Sequence, residues 1–316
     1  MMANSIKGIT MNINSVTRRQ MLLGAVATLV SANVLAKDAA HAASVASSEL
    51  AALERKSGGR LGVTILNTAS GTQTGHRADE RFAMCSTFKL PLAAVILREV
   101  DQSRLRLDQF VPFSKKDIVP HAPITSQHLA KGGMTVQALT HAAQLESDNV
   151  AANLLLSLIG GPAGFTSTLR TLGDTTTRLD RTEPSLNLVT PGEVRDTTTP
   201  AAMSQTIARM LTGTWLKPVS VDLLISWMIA TETGTKRLRA GFPPDWRSGD
   251  KTGTGMAPNM ADKYNDIAVA WPAGKAPVIV SAFYETAVAH GKMREEDEAV
   301  LASVGRIATQ WSQQLM

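Results

Sequence analysis

Arg247-Ser248-Gly249-Asp250-Lys251-Thr252-Gly253-Thr254-Gly255 is followed by two further runs of strand character, Asn265–Trp271 and Ala276–Glu285. Bounded by Gly and Pro, these runs predict three strands near the C-terminus. A comparable pattern stands near the start, where Leu61, Val63 and Ile65 alternate with Gly62 and Thr64 before the turn-rich Asn67 to Gly75, as in the first strand of a hairpin. From Ser86 to about Leu211 apolar residues instead keep helical spacing, broken by Pro- and Gly-containing loops. Helical spacing also marks Ser44–Lys56, which Gly58-Gly59 stops, and Met293–Gln314, where Val300, Leu301, Val304, Ile307, Ala308 and Trp311 share one face. Strands at both chain ends with helices between them predict an α+β (α/β sandwich) fold. Its antiparallel sheet is built from both chain ends with flanking helices, an all-α domain is inserted, and a cleft forms where the two meet. The expected sheet domain is 44-80 and 235-316, and the helical domain is 81-234, including a long polar loop at 178-199.

The 316 residues allow one large domain or two small ones. With 44% hydrophobic and 19% charged residues, the composition excludes a disordered, collagen-like or coiled-coil chain. The net charge is +5, but residues 1–42 hold Lys7, Arg18, Arg19 and Lys37 against Asp38 alone, so the remainder carries only +2. No stripe of basic and aromatic residues accompanies it, which argues against a nucleic-acid partner. Thr17-Arg18-Arg19-Gln20, the apolar run Met21–Ala36 and the small-residue site Ala40-His41-Ala42 follow the order of a signal peptide. Residues 1-42 are therefore read as an export signal of the twin-arginine type, against the alternative of a buried N-terminal helix. The run is too short and weakly apolar for a span of about 20 residues, so the expectation is a periplasmic protein with no membrane span after signal removal. Cys85 is the only cysteine, which excludes an intramolecular disulfide and reads as a small buried packing residue. The six histidines show no metal-ligand spacing, so zinc chemistry is not expected.

Four short motifs carry chemistry. Ser86-Thr87-Phe88-Lys89 opens the apolar helix Leu90–Val100, and three residues apart on a helix the lysine amine can reach the serine hydroxyl. Taken alone, the pair equally describes a helix-capping serine with a solvated lysine. Ser147-Asp148-Asn149 separates the helices Thr135–Glu146 and Val150–Ile159. Its residues suit helix capping, or a hydroxyl that shuttles a proton beside an amide that donates to a substrate carbonyl. In the loop, Glu183 and Asn187 stand four apart and can hold a water between carboxylate and amide, while Arg181 and Asp196 can close the loop's neck. Lys251-Thr252-Gly253-Thr254-Gly255 sets Thr252 and Thr254 on one strand face, with glycines that admit a ligand close to the backbone. Arg237 lies a short way upstream, and an arginine fork matches a carboxylate.

Together, in this order, Ser86 to Lys89, Ser147 to Asn149, Glu183 to Asn187 and Lys251 to Gly253 resemble the class A serine β-lactamases, over residues 45–316. Arg178-Leu179-Asp180-Arg181 and Arg195 to Pro200 strengthen the resemblance. It implies a monomer that takes small-molecule β-lactams, hydrolyses the ring of penicillins and cephalosporins through a serine acyl-enzyme, and so gives antibiotic resistance. Ser86 is then the nucleophile, with the backbone N–H groups of Ser86 and Thr254 as the oxyanion hole. Lys89, or Glu183 through a held water, removes the serine proton, and Ser147 relays a proton to the lactam nitrogen. Lys251, Thr252, Thr254 and Arg237 bind the substrate carboxylate, Asn149 and Asn187 contact substrate and water, and Glu183 drives deacylation. The alternative within the same superfamily is a penicillin-binding or sensor protein that acylates without turnover; from another class, a noncatalytic exported binding protein. Against the family pattern, His121 replaces a frequent aromatic on the Asp117–Thr125 loop, and Met256 to Tyr264 is longer than the usual turn. Members with a carbapenem-type disulfide pair the cysteine before the nucleophile with the position occupied here by Gly255, so the resemblance leaves Cys85 free.

Overall fold

The computed structural model describes the backbone of residues 18–315 and the side chains of residues 37–315. Of the export segment read at 1-42, residues 1–17 and the side chains of 18–36 lie outside the described residues. Contacts divide the chain into residues 1–41 and 42–316, and the sheet, core and site all lie in the second unit.

Helix α1 (Arg18–Ser57) is followed by the hairpin β1 (Arg60–Asn67) and β2 (Gln73–His76), then by a short strand β3 (Phe82–Ala83). Next come α2 (Lys89–Asp101), the short strands β4 (Phe110–Pro112) and β5 (Gly133–Thr135), and the helices α3 (Val136–Leu145), α4 (Asn149–Leu158) and α5 (Gly161–Thr171). A short strand β6 (Thr197–Thr198) precedes α6 (Pro200–Thr212) and α7 (Pro218–Ala230). The chain closes with β7 (Arg247–Gly255), β8 (Lys263–Trp271), β9 (Val278–Glu285) and α8 (Glu295–Gln314).

The five long strands form one antiparallel sheet in the order β2-β1-β9-β8-β7. Pairing of β1 with β9, from Arg60 opposite Glu285 to Asn67 opposite Val278, joins the two chain ends as expected. The β1–β2 turn is set by Asn67, whose Oδ1 accepts from the N–H groups of Ala69 at 2.9 Å and Ser70 at 3.3 Å, a local bond that favours turns over strand. Successive side chains on a strand point to opposite faces. Hence Ile267, Val269, Ile279 and Phe283 enter the core shared with the helices, while Ala268, Ala270, Val280 and Tyr284 pack with Leu50 of α1 and Val304 and Trp311 of α8. With both faces covered, the strands read as apolar runs rather than strict alternation. The face foreseen on the last helix is the buried one, with Ile307 at its margin.

Helix α2 is buried at every position from Lys89 to Leu97, as expected of a helix apolar on all sides at the centre of a core. The segment 81-234 is not purely helical: β3 pairs with β6 and β4 with β5. These pairs were illegible because strands of two or three residues leave no periodic signal. Among the described residues no single helix is long and apolar enough to cross a membrane. The bent pair α4 and α5 meets that measure jointly, yet Leu155, Leu156, Phe165 and Leu169 of the pair are buried in the core.

Candidate active site

The nucleophile candidate Ser86 sits in a single 3-10 turn, Cys85–Phe88, that feeds directly into α2. Cys85 before it has a φ of 46°, a left-handed backbone for a residue with a side chain. The turn is held by the Thr87 hydroxyl, which donates to Met84 O at 2.7 Å, and by Asn265 on β8, whose amide donates to Ala83 O at 2.8 Å. Strand β7 runs against it at Gly253, where a Cβ would stand 2.8 Å from Met84 O and 3.0 Å from the Thr87 nitrogen. Only glycine lets the strand approach this closely.

Lys89 is the hub. Its fully buried ammonium lies 2.9 Å from Ser86 Oγ, 3.0 Å from Glu183 Oε1, 2.8 Å from Ser147 O and 2.6 Å from Asn149 Oδ1. Ser86 Oγ in turn donates to Glu183 Oε1 at 3.2 Å. Burial pushes the Lys89 ammonium below its ordinary value, and the charge of Glu183 opposes the shift. Ser147 adopts a φ of 57° between α3 and α4 and presents its hydroxyl to two lysines, Lys89 at 3.4 Å and Lys251 at 3.2 Å. Asp148 caps α4 by accepting from Ala151 N at 2.9 Å, and it also accepts from the backbone N–H groups of Ile124 and Thr125. One buried carboxylate thereby fixes both the Ser147 turn and the loop of His121. His121, at φ 61°, shares a 3.1 Å contact with Glu146 O, and Asn149 N donates to its carbonyl at 2.9 Å.

Glu183 is 3% exposed, and its backbone is clamped by Asn153 of α4, whose amide oxygen and nitrogen bond Glu183 N and O, each at 2.9 Å. The Asn187 amide donates to Glu183 Oε2 at 2.7 Å, while Asn187 Oδ1 is buried with no hydrogen-bond partner among the described residues. Arg181 and Asp196 close the loop's neck at 2.5 Å, and Asp196 also accepts from the N–H groups of Asp180 and Arg181.

On β7, Lys251 is fully buried and donates to Ser147 Oγ and to Thr252 O at 2.9 Å. Burial, reinforced by the Lys89 charge, pushes its ammonium down to about 7. Asp250 and Asp266 are both pushed up by burial, which lessens the negative charge next to Lys251. Thr252 bonds Thr233 Oγ1 at 2.8 Å, and Thr254 Oγ1 accepts from Arg237 Nη2 at 2.8 Å. Arg237 is 2% exposed; its other donors go to Gly253 O, Asn265 O and, at 3.3 Å, Glu298 Oε1.

These groups converge on a pocket of about 400 Å³. Every residue expected from the sequence to act on or bind substrate lines it except Lys89 and Lys251, which are fully buried. Thr233, Met293 and Glu298 also line it and were missed, as was the clamp Asn153. Asn153 had a signal, since it stands four residues after Asn149 on one helix face. Glu298, in the first turn of α8, had none, because only the fold brings that turn to Arg237.

The model of the beta-lactamase enzyme family matches residues 45–312. Beta-lactamase L2 of Stenotrophomonas maltophilia is 48% identical over 269 residues, 84% of this chain and 86% of that protein. Beta-lactamase AST-1 of Nocardia asteroides is 42% identical over 92% of this chain and 94% of its own. Among solved structures, the ancestral (GNCA) class A beta-lactamase aligns with a TM-score of 0.78 at 52% identity, covering 83% of this chain and 98% of that one. With the serine, the two lysines and the loop glutamate assembled around one pocket, the chain belongs to the beta-lactamase enzyme family, as a class A serine β-lactamase.

Proposed function

We propose that this β-lactam hydrolase works by acylation of Ser86 and glutamate-assisted deacylation. Ser86 Oγ attacks the lactam carbonyl as its proton passes to Lys89 or Glu183, both within hydrogen-bond reach. The oxyanion is received by the backbone N–H groups of Ser86 and Thr254, which stabilise charge present only in the transition state. As the C–N bond breaks, the Ser147 hydroxyl, positioned between Lys89 and Lys251, gives its proton to the leaving nitrogen and is reprotonated from the lysines. Lys251, Thr252, Thr254 and Arg237 hold the substrate carboxylate, Asn149 donates to the side-chain carbonyl, and His121 flanks it. Penicillins and cephalosporins are the substrates, and no step requires a cofactor.

One observation favours turnover over a stalled acyl-enzyme. Glu183 Oε1 faces the nucleophile while Oε2 is tied to Asn187, whose own oxygen is buried and unbonded. A carboxylate and an amide oxygen side by side form a seat for a water aimed at the ester, with Glu183 as its base. We further read residues 1–42 as an export signal and the mature protein as a periplasmic monomer. Intact mass spectrometry with benzylpenicillin tests the mechanism. The native chain should turn over with little adduct, and Glu183→Ala should accumulate an adduct on Ser86 and deacylate about 10²–10⁴-fold more slowly. A Glu183→Ala variant with native turnover would overturn the role of Glu183, and a native chain trapped as one stable adduct would favour the sensor reading.

A further inference from the structure

We infer that the protein has a second ligand site, separate from the reaction pocket, that takes a small carboxylate with a short apolar tail. The cavity holds about 620 Å³ and lies between residues 189–194, the far arm of the loop that carries Glu183, and residues 259–261 ahead of β8. It shares no lining residue with the reaction pocket. Val189, Pro191 and Met260 contribute apolar wall.

Among the described residues, two cations in its lining lack a counter-ion. Lys263 is only 4% exposed, and among the described residues its one hydrogen bond is a 3.4 Å contact to Ala261 O. Glu285 stands opposite it in the β8–β9 register but is drawn away by Arg60 at 3.0 Å. Arg81 donates to Thr176 O and to Thr197 Oγ1, both at 3.0 Å, and pairs with no acid among the described residues. The acids of the lining, by contrast, are all engaged: Glu80 by Arg60 and Arg77, Glu193 by Arg195 and Glu285 by Arg60. A buried ammonium with unused donors is unfavourable until an anion completes it, and a guanidinium nearby favours a planar, two-oxygen anion. The remaining apolar wall suits a short tail. Such a ligand would touch the loop two residues beyond Asn187.

Octanoate is the probe and octanamide its neutral twin of the same shape, followed by backbone amide NMR shifts of the full chain. Octanoate should saturably shift amides within 189–194 and 259–263, and octanamide should bind roughly tenfold or more weakly. Lys263→Met should weaken octanoate by a similar factor while Lys263→Arg retains it. Equal binding of octanamide, unchanged binding to a folded Lys263→Met, or shifts confined to residues 251–254 would each overturn the site. If Lys263→Met does not fold, the comparison of the two probes on the native chain decides.

Discussion

At the scale of single residues, the site is an exercise in moving lysines out of water. Lys89 and Lys251 are both fully buried, and burial pushes both down, Lys251 from the usual 10.5 to about 7. For Lys251, proposed to hold the substrate carboxylate, the expected consequence is a pH-dependent grip. Its ammonium is present below about 7 and is lost as pH rises through that value. In a Ser86→Ala variant, which removes the proposed nucleophile, the Kd for benzylpenicillin should climb above pH about 7 toward roughly tenfold per unit. A Kd that stays flat between pH about 6 and about 9 would refute this role. The same shift acts on stability with a definite sign. Between about 7 and 10.5 the unfolded chain holds a proton that the folded chain has released, so this group makes the fold more stable as pH rises across that window. Glu183 reports at the same scale, through the slow deacylation expected of its alanine variant.

At the scale of elements, the proposed catalytic groups are placed by hydrogen bonds from neighbouring elements. Asn153 bonds both backbone polar groups of Glu183, at 2.9 Å each, and each such bond is worth about 0.5–1.5 kcal/mol. Asn153→Ala should therefore slow deacylation by about tenfold or more while acylation changes little, as pre-steady-state kinetics can resolve. Equal losses in both steps would mean that Asn153 supports the whole pocket rather than the loop. The elements themselves were largely legible. Expected strand Arg247–Gly255 is β7 residue for residue, and expected helix Leu90–Val100 is α2 less one residue at each end. Periodicity and Gly punctuation suffice when an element is long. What stayed hidden depended on pairing across distance: β3 with β6, Glu298 with Arg237, and Asn153 with the loop. Motif spacing gave the residue types of the site, but only the close pass at Gly253 explains how a strand from one chain end meets a helix from the middle.

At the scale of the whole molecule, residues 42–316 form a compact unit with the sheet, both cores and the site inside it. A chain beginning at Ala42 should keep native kcat/KM and change Tm by no more than a few degrees; a chain that aggregates or loses most activity would show that residues 1–41 belong to the fold. The single thiol, Cys85, is buried and pushed up to about 12, so it gives the chain no covalent tie. Yet the contact between the nucleophile turn and β7 is close to being one. A Cβ at Gly255 would lie 2.9 Å from Cys85 Sγ, about the separation a disulfide spans between one sulfur and the partner's Cβ. Gly255→Cys should oxidise to an intramolecular bridge, seen as the loss of two hydrogens by intact mass, whereas a persistent pair of free thiols would show that the strand cannot yield. One substitution thus suffices to set a second sulfur across the cleft from Cys85, so a covalently welded form of this enzyme stands a single residue away in sequence space.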